Sequence, residues 1–134
     1  MFLIPLMIIP FILYNLAMFG VMGEGGTASL KAEVLNLGMM SGATWTMTLG
    51  DLLIVIGLIV LLVEIFKATR GSSASIIDHL LSMVLFVVFL IEFLLVAGAA
   101  TQVFFVLMMI TFIDVVAGFI ISIKSASRDV AIGL

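Results

Sequence analysis

The sequence predicts an all-α membrane protein: a four-transmembrane-helix bundle with an extracytoplasmic β-hairpin in the first loop. Three observations lead to this fold class. The chain is 65% hydrophobic and 10% charged, whereas soluble globular proteins are about half apolar and a quarter charged. Its apolar residues form four runs long enough to cross hydrocarbon about 30 Å thick, which takes roughly 20 helical residues. One polar stretch between the runs alternates in the manner of a β-strand.

The four predicted spans take up most of the 134 residues, so we predict a single membrane domain over residues 1–134. The first run lacks the positively charged leader and the small-residue cleavage site of a secretory signal peptide, and we interpret it as a retained span. Pro10 cannot donate a backbone hydrogen bond to the Leu6 carbonyl and is expected to kink this helix. The spans are expected at about 2–22, 50–68, 76–98 and 102–124.

The outer loop, residues 23–49, contains two segments that resemble strands. Residues 28–37 alternate irregularly, whereas residues 43–49 alternate strictly, and the glycines of the GMMSG segment between them suit a turn. We therefore predict a β-hairpin, with an irregular surface loop as the alternative. A two-stranded hairpin is marginally stable by itself, so we expect it to contact the bilayer surface or a neighbouring subunit. The interface residues would be Thr44, Trp45, Thr46, Met47 and Thr48.

The basic residues predict the orientation of the chain, because Lys and Arg are retained on the cytoplasmic side of a membrane. Lys67 and Arg70 follow the second predicted span, and Lys124 and Arg128 follow the fourth. In the long loop the basic residue is Lys31, which has acidic residues nearby. We therefore expect a multi-pass protein with both termini in the cytoplasm.

Five segments carry a resemblance to a known family: SGATWTMTLGDLL, VEIFKATR, SIIDHLLS, IEFLL and RDVAI. They resemble an uncharacterised family of small four-span membrane proteins from proteobacteria, and the resemblance covers most of the chain. It implies a bacterial inner (cytoplasmic) membrane protein and implies no activity. In topology alone, the β-bearing first outer loop and the very short second one are similar to those of claudins, whose W-GLW-C-C signature is absent.

Two carboxyl groups fall in the middle of predicted spans, Glu92 in the third and Asp114 in the fourth. An ionisable group at such a depth costs about 2.5–3.5 kcal/mol on insertion scales and usually faces the bundle interior. A helical rise of about 1.5 Å per residue puts Asp114 roughly 15 Å, Glu92 about 21 Å and Asn15 about 20 Å from the cytoplasmic ends of their spans. We expect these three side chains to meet, with Tyr14 and Thr111 as further partners.

Two interpretations of this intramembrane polar cluster follow from its chemistry. In the first, Asp114 and Glu92 hold the helices together through neutral or proton-sharing hydrogen bonds. In the second, they form a proton or cation relay through the bundle. We favour the first interpretation, because a conducting path needs polar groups at several depths.

The polar residues near the ends of the predicted helices have structural explanations. Asp51 begins the second span, and Asp78 and His79 begin the third, where a carboxylate complements the helix N-terminus. Glu64 and Lys67 lie three residues apart on one helix face. We expect them to pair and to extend toward the interface. His79 is interpreted as a packing or hydrogen-bonding residue.

The remaining composition bears on the function classes. The chain has no cysteine and one histidine, so disulfides, thiol catalysis and a conventional zinc site are not expected, and no cofactor is predicted. It also lacks a basic patch for nucleic acid and a nucleophile–base constellation, so we do not expect an enzyme. We predict a structural or accessory integral membrane protein that forms homo-oligomers or docks onto a larger membrane complex. The alternative is a small proton or cation channel or transporter that uses the intramembrane carboxylates.

Overall fold

The computed structural model describes the backbone of residues 4–20, 26–69 and 73–131, and their side chains apart from those of 73–75 and 125–131. Within these ranges the chain forms four α-helices and one two-stranded antiparallel sheet, which confirms the predicted helical protein with a hairpin between its first two helices. The elements are α1 (Ile8–Met18), β1 (Glu33–Gly38), β2 (Thr44–Thr48), α2 (Leu49–Ala68), α3 (Ser73–Leu95) and α4 (Gln102–Ala131).

Three of the described helices are long and apolar enough to cross a membrane, judged by length and composition. They are α2, the Ile76–Leu95 part of α3 and the Gln102–Lys124 part of α4. The α4 segment is the most buried of the three and packs against both α2 and α3. Helix α4 is therefore the centre of the bundle.

Glycines allow α2 to approach α4 closely. Gly50 and Gly57 lie two turns apart and thus on one face of α2. A Cβ atom added at Gly57 would lie 3.0 Å from Leu107 Cδ2, and one added at Gly50 would lie 2.7 Å from Val103 Cγ2. Small residues at such positions let helix backbones pack tightly in lipid. Seven residues after Gly57, Glu64 continues this face and is also buried.

Helices α3 and α4 form an antiparallel pair whose register is set by their short connection. Because α3 ends at Leu95 and α4 begins at Gln102, residues at equal distances from the connection lie at the same level of the bundle. His79 accordingly lies against Gly118. The ring centroids of Phe93 and Phe104 are 6.3 Å apart at the other end of the pair.

The first helix is shorter than the predicted span at 2–22. Helix α1 has 11 residues, and Pro10 lies in its first turn, where a backbone N–H has no acceptor within the helix. Pro10 therefore does not kink a longer helix, and the Leu6 carbonyl accepts the Ile9 N–H at 3.0 Å. The ends of the predicted span, residues 2–3 and 21–22, lie outside the described residues.

The hairpin starts later than the predicted strand at 28–37. The first residues of the predicted strand, 28–31, belong instead to a 3₁₀ helix, Gly26–Lys31. In this helix Leu30 is buried against Gly50. Strand β1 pairs with β2 in the register Leu35 with Met47 and Leu37 with Trp45, and a bulge lies between Glu33 and Leu35. In the turn, Gly42 adopts φ 92°, a conformation that favours glycine.

Candidate functional site

Buried and half-buried polar groups gather at two levels of the bundle. The first group, here named the lysine cluster, lies where α2 ends and α3 begins. The second, named the tyrosine cluster, lies near the connection between α3 and α4. The lysine cluster comprises Glu64, Lys67, Asp78, Ser82 and Asp114. The tyrosine cluster comprises Tyr14, Asn15, Glu92, Gly98 and Thr101.

Lys67 connects three segments of the chain. Its Nζ lies 3.0 Å from Glu64 Oε1 within α2 and 3.4 Å from Asp78 Oδ1 on α3. It also donates to the Ile4 carbonyl at 3.3 Å. The predicted ion pair with Glu64 is therefore present, but the two side chains do not extend outward, since the Glu64 side chain is only 2% exposed. The extra acceptors on α3 and at Ile4 explain why the ammonium turns into the bundle.

Asp114 joins the lysine cluster from the centre of the bundle. It is 7% exposed and lies close enough to Glu64, Asp78 and Lys67 to interact with their charges. The Ser82 hydroxyl faces its carboxyl group while donating to the Asp78 carbonyl at 3.1 Å. Among the described residues of this cluster, one ammonium faces three carboxyl groups, and Asp114 Oδ2 is buried without a hydrogen-bond partner.

Asp78 and His79 lie near the start of the apolar Ile76–Leu95 segment of α3 but not at the N-terminus of the helix. Helix α3 begins at Ser73, so both residues lie in its second turn, and Asp78 pairs with Lys67 instead of complementing the helix N-terminus. The His79 ring packs edge-on against Phe119 at 4.6 Å and directly against Gly118. Within the described part of the chain, its Nε2 atom is buried without a hydrogen-bond partner.

In the tyrosine cluster, hydrogen bonds join α1 to the start of α4. The Tyr14 hydroxyl donates to the Gly98 carbonyl at 2.8 Å and lies 2.6 Å from Thr101 Oγ1. That same Thr101 oxygen accepts the Phe104 N–H at 3.2 Å, as a helix-capping side chain does. Asn15 donates to the Phe11 carbonyl at 2.9 Å and also faces Glu92.

The structure brings Asn15 and Glu92 together and separates Asp114 from them. Ser82, the neighbour of Asp114, lies ten residues before Glu92 on α3, which corresponds to about 15 Å along the helix. Thr111 belongs to neither cluster, because its hydroxyl donates to the Leu107 carbonyl of its own helix at 3.0 Å. Between the clusters lies a layer of buried apolar side chains, Leu85, Phe89, Leu107 and Met108.

Two partners in these clusters, Ser82 and Thr101, were not anticipated from the sequence. A usable signal was present for Ser82. Asp114 lies twelve residues after the start of α4, and the residue twelve before the end of α3 is Met83, next to Ser82. Thr101 carried a weaker signal, since a threonine directly before an apolar helix is a typical N-cap.

The predicted interface residues of the hairpin divide between its two faces. Opposed residues of an antiparallel pair point the same way, so Trp45 and Met47 share one face with Leu37 and Leu35. Thr44 and Thr46 point to the other face. Thr48 accepts the Asp51 N–H at 3.2 Å, and Asp51 Oδ2 accepts the Thr48 N–H at 3.1 Å. This capping box begins α2, so Asp51 has its structural role at the start of the second long helix.

Both clusters join separate helices, one through the ion pair of Lys67 with Asp78 and the other through the hydroxyl contacts of Tyr14. Among the described residues, no group of three or more His, Asp or Glu side chains is arranged to hold a metal ion.

Comparisons of this chain with protein-family models, with curated proteins and with solved structures gave no match.

Proposed function

We propose that the chain is a structural or accessory integral membrane protein that acts through association with its own copies or with a larger membrane complex. In this proposal α1 and the three long helices lie in a bacterial inner membrane with the hairpin outside. Lys67 and Lys124 then lie on the cytoplasmic side together with both termini, in agreement with the retention of basic residues there.

The observation that carries the proposal is the outer edge of β1, with which no strand of the described residues pairs. The Met39 N–H donates to the Ala43 carbonyl at 2.7 Å. From that pair onward, hydrogen-bonded and non-hydrogen-bonded residue pairs alternate along the antiparallel ladder. The backbone groups of Leu37 and Leu35 therefore point toward β2, whereas those of Asn36 and Gly38 point away from it. Every residue of β1 is exposed, and an exposed edge of this kind is a template for pairing with another chain.

The interior of the bundle supports a structural role. Both polar clusters link separate elements: the tyrosine cluster links α1 to the start of α4, and the lysine cluster links α2 to α3 and to Ile4. The apolar layer separates the two clusters, so the described residues provide no continuous series of polar groups from one level to the other. Interhelical hydrogen bonds of this kind hold helices together in lipid.

An edge-blocking substitution tests the proposal. Asn36→Pro removes an outward N–H and leaves the bonds between β1 and β2 in place, because proline is tolerated at edge positions that face away from the ladder. Asn36→Thr is the matched control, since it changes the same side chain and keeps the N–H. We expect the wild-type and threonine proteins to form oligomers in mild detergent, and the proline protein to dissociate at lower concentration.

Two outcomes would contradict this function. One is a wild-type protein that is a monomer by light scattering at all concentrations, with fast hydrogen exchange at Asn36 and Gly38, and that recovers no partner after cross-linking in native membranes. The other is an oligomer whose stability is the same with proline and with threonine at position 36.

A second candidate function is a proton or cation channel or transporter. It is favoured by the oxygens Asp114 Oδ2 and Glu92 Oε2, which are buried without hydrogen-bond partners in the described part of the chain. Ionisable groups within membrane spans often belong to ion pathways. Liposomes that contain the protein and a pH-sensitive dye distinguish this function from the first. Flux that is lost in folded Asp114→Asn or Glu92→Gln protein favours transport, and no flux with the wild-type protein rejects it.

A further inference from the structure

The two faces of the hairpin differ in chemistry. One face, here named the apolar hairpin face, consists of Leu35, Leu37, Trp45 and Met47. Trp45 is 42% exposed, and the two leucines are 41% and 46% exposed. The opposite face carries Asn36, Thr44 and Thr46, which are polar. Exposure of these apolar side chains to water is unfavourable. We therefore expect the apolar hairpin face to contact a less polar environment than the opposite face.

The size of the apolar hairpin face bears on what covers it. Four partly exposed side chains offer a surface on the order of a few hundred Å², whereas a stable protein interface buries about 800 Å² on each partner. A lipid surface does not have this requirement, because it adapts its shape to each side chain. The small area therefore favours lipid over a second protein at this face.

The height of the hairpin follows from its connection to α2. Helix α2 has 20 residues, which corresponds to about 30 Å, the thickness of the hydrocarbon layer. Thr48 is both the last residue of β2 and the N-cap of α2, so it falls at the edge of the hydrocarbon. Trp45 lies three residues earlier, within about 10 Å of that edge even in a fully extended strand. This is the headgroup level, where tryptophan is enriched.

We propose that the hairpin lies flat on the outer membrane surface, with its apolar face in the zone between phospholipid headgroups and acyl chains. An upright hairpin would leave this face in water together with Met39 and Met40 at the turn, both of which are exposed. The flat position leaves the β1 edge free to meet a partner in the plane of the membrane. The inference rests on the membrane insertion that is part of the proposed function.

The protein contains a single tryptophan, so its own fluorescence tests the inference without a label. The full chain is reconstituted into phosphatidylcholine and phosphatidylglycerol vesicles in which part of the lipid carries bromine on the acyl chains. We expect the emission maximum of Trp45 to lie at a shorter wavelength than that of free tryptophan in aqueous buffer. It should be quenched most strongly by bromine near the carbonyl end of the chain, less by bromine near the methyl end, and little by aqueous iodide.

A face-swapped variant is the matched control. In Trp45→Phe combined with Thr46→Trp, the fluorophore moves to the polar face of the same strand. We expect iodide to quench this protein more strongly than the wild type, and brominated lipid to quench it less. Equal behaviour of the two proteins would contradict the inference, because the two faces would then share one environment.

Three results with the wild-type protein would overturn the inference. Strong quenching by iodide without quenching by brominated lipid would mean that the face lies in water. Protection from both quenchers, lost as the lipid-to-protein ratio is raised, would mean that a second copy covers it. Failure of the protein to float with the vesicles after a carbonate wash would reject membrane insertion itself, and with it the proposed function.

Discussion

Tyr14 and Thr101 lie 87 positions apart in the sequence, and their hydroxyl oxygens are 2.6 Å apart. This contact connects α1 to the residue that caps α4. Tyr14 is fully buried, and its ring packs against Phe104 with a centroid distance of 4.9 Å. Tyr14 thus attaches the short first helix to α4 through both its ring and its hydroxyl group.

We predict that Tyr14→Phe lowers the free energy of unfolding by about 1–3 kcal/mol, because it leaves the half-buried Gly98 carbonyl without the Tyr14 donor. Unfolding in mixed detergent micelles, followed by circular dichroism, measures the change. The Thr101→Val variant and the double variant complete a mutant cycle. Strictly additive losses would show that the two hydroxyls do not interact.

Lys67→Met is expected to destabilise the protein by about 3–5 kcal/mol, since removal of one partner leaves buried carboxylates without compensation. The matched control is Lys124→Met, which removes the same charge from an exposed side chain of α4 and should change stability by less than about 0.5 kcal/mol. Thermal unfolding in one detergent compares the two. Equal melting temperatures would contradict the role of Lys67 in joining α2, α3 and Ile4.

Gly118→Ala is expected to cost about 1–3 kcal/mol, in the manner of other overpacked interiors. A Cβ atom at this position would overlap the His79 imidazole, so the ring would have to move. In a His79→Ala background the same substitution should cost little, and this rescue separates overlap with the ring from a general effect of alanine. Gly38→Ala is the control, because a Cβ there would meet no atom within 4 Å.

Thr48→Ala should weaken the start of α2 by about 1 kcal/mol, the usual loss for an N-cap side chain. Thr44→Ala removes the same hydroxyl from the other end of β2, where it caps no helix, and should have little effect on α2. Hydrogen exchange in the first turn of α2 measures the difference. The same exchange rate in both variants would show that the capping box does not stabilise this turn.

The sequence was sufficient for the hairpin and for three of the helices. The strict alternation of threonines with Trp45 and Met47 specified β2, and glycine at position 42 specified the turn. The length of α1 was not predicted correctly, because composition does not distinguish an apolar turn, such as residues 4–7 form, from an apolar helix. Pro10 is equally compatible with a kink in a long helix and with the first turn of a short one.

The arrangement of the polar residues was only partly predictable. Counting residues from the end of one helix gives a depth along that helix, but it does not give the shift between neighbouring helices. The predicted span ends at Lys124, whereas α4 continues to Ala131, and the level of α4 relative to α3 is set at the opposite end, by the connection at 96–101. Counting from that connection would have put Asp114 beside Ser82.

The direct passage from Thr48 into Leu49 has a mechanical consequence. Because no linker residue separates the strand from the helix, a rotation of α2 about its long axis rotates the hairpin through the same angle. One alanine inserted after Thr48 would rotate the hairpin by about 100° relative to the face that carries Gly57 and Glu64. Any contact that holds the hairpin in place therefore also fixes the rotation of α2 about its axis. It thereby fixes the direction in which Lys67 points at the opposite end of the helix.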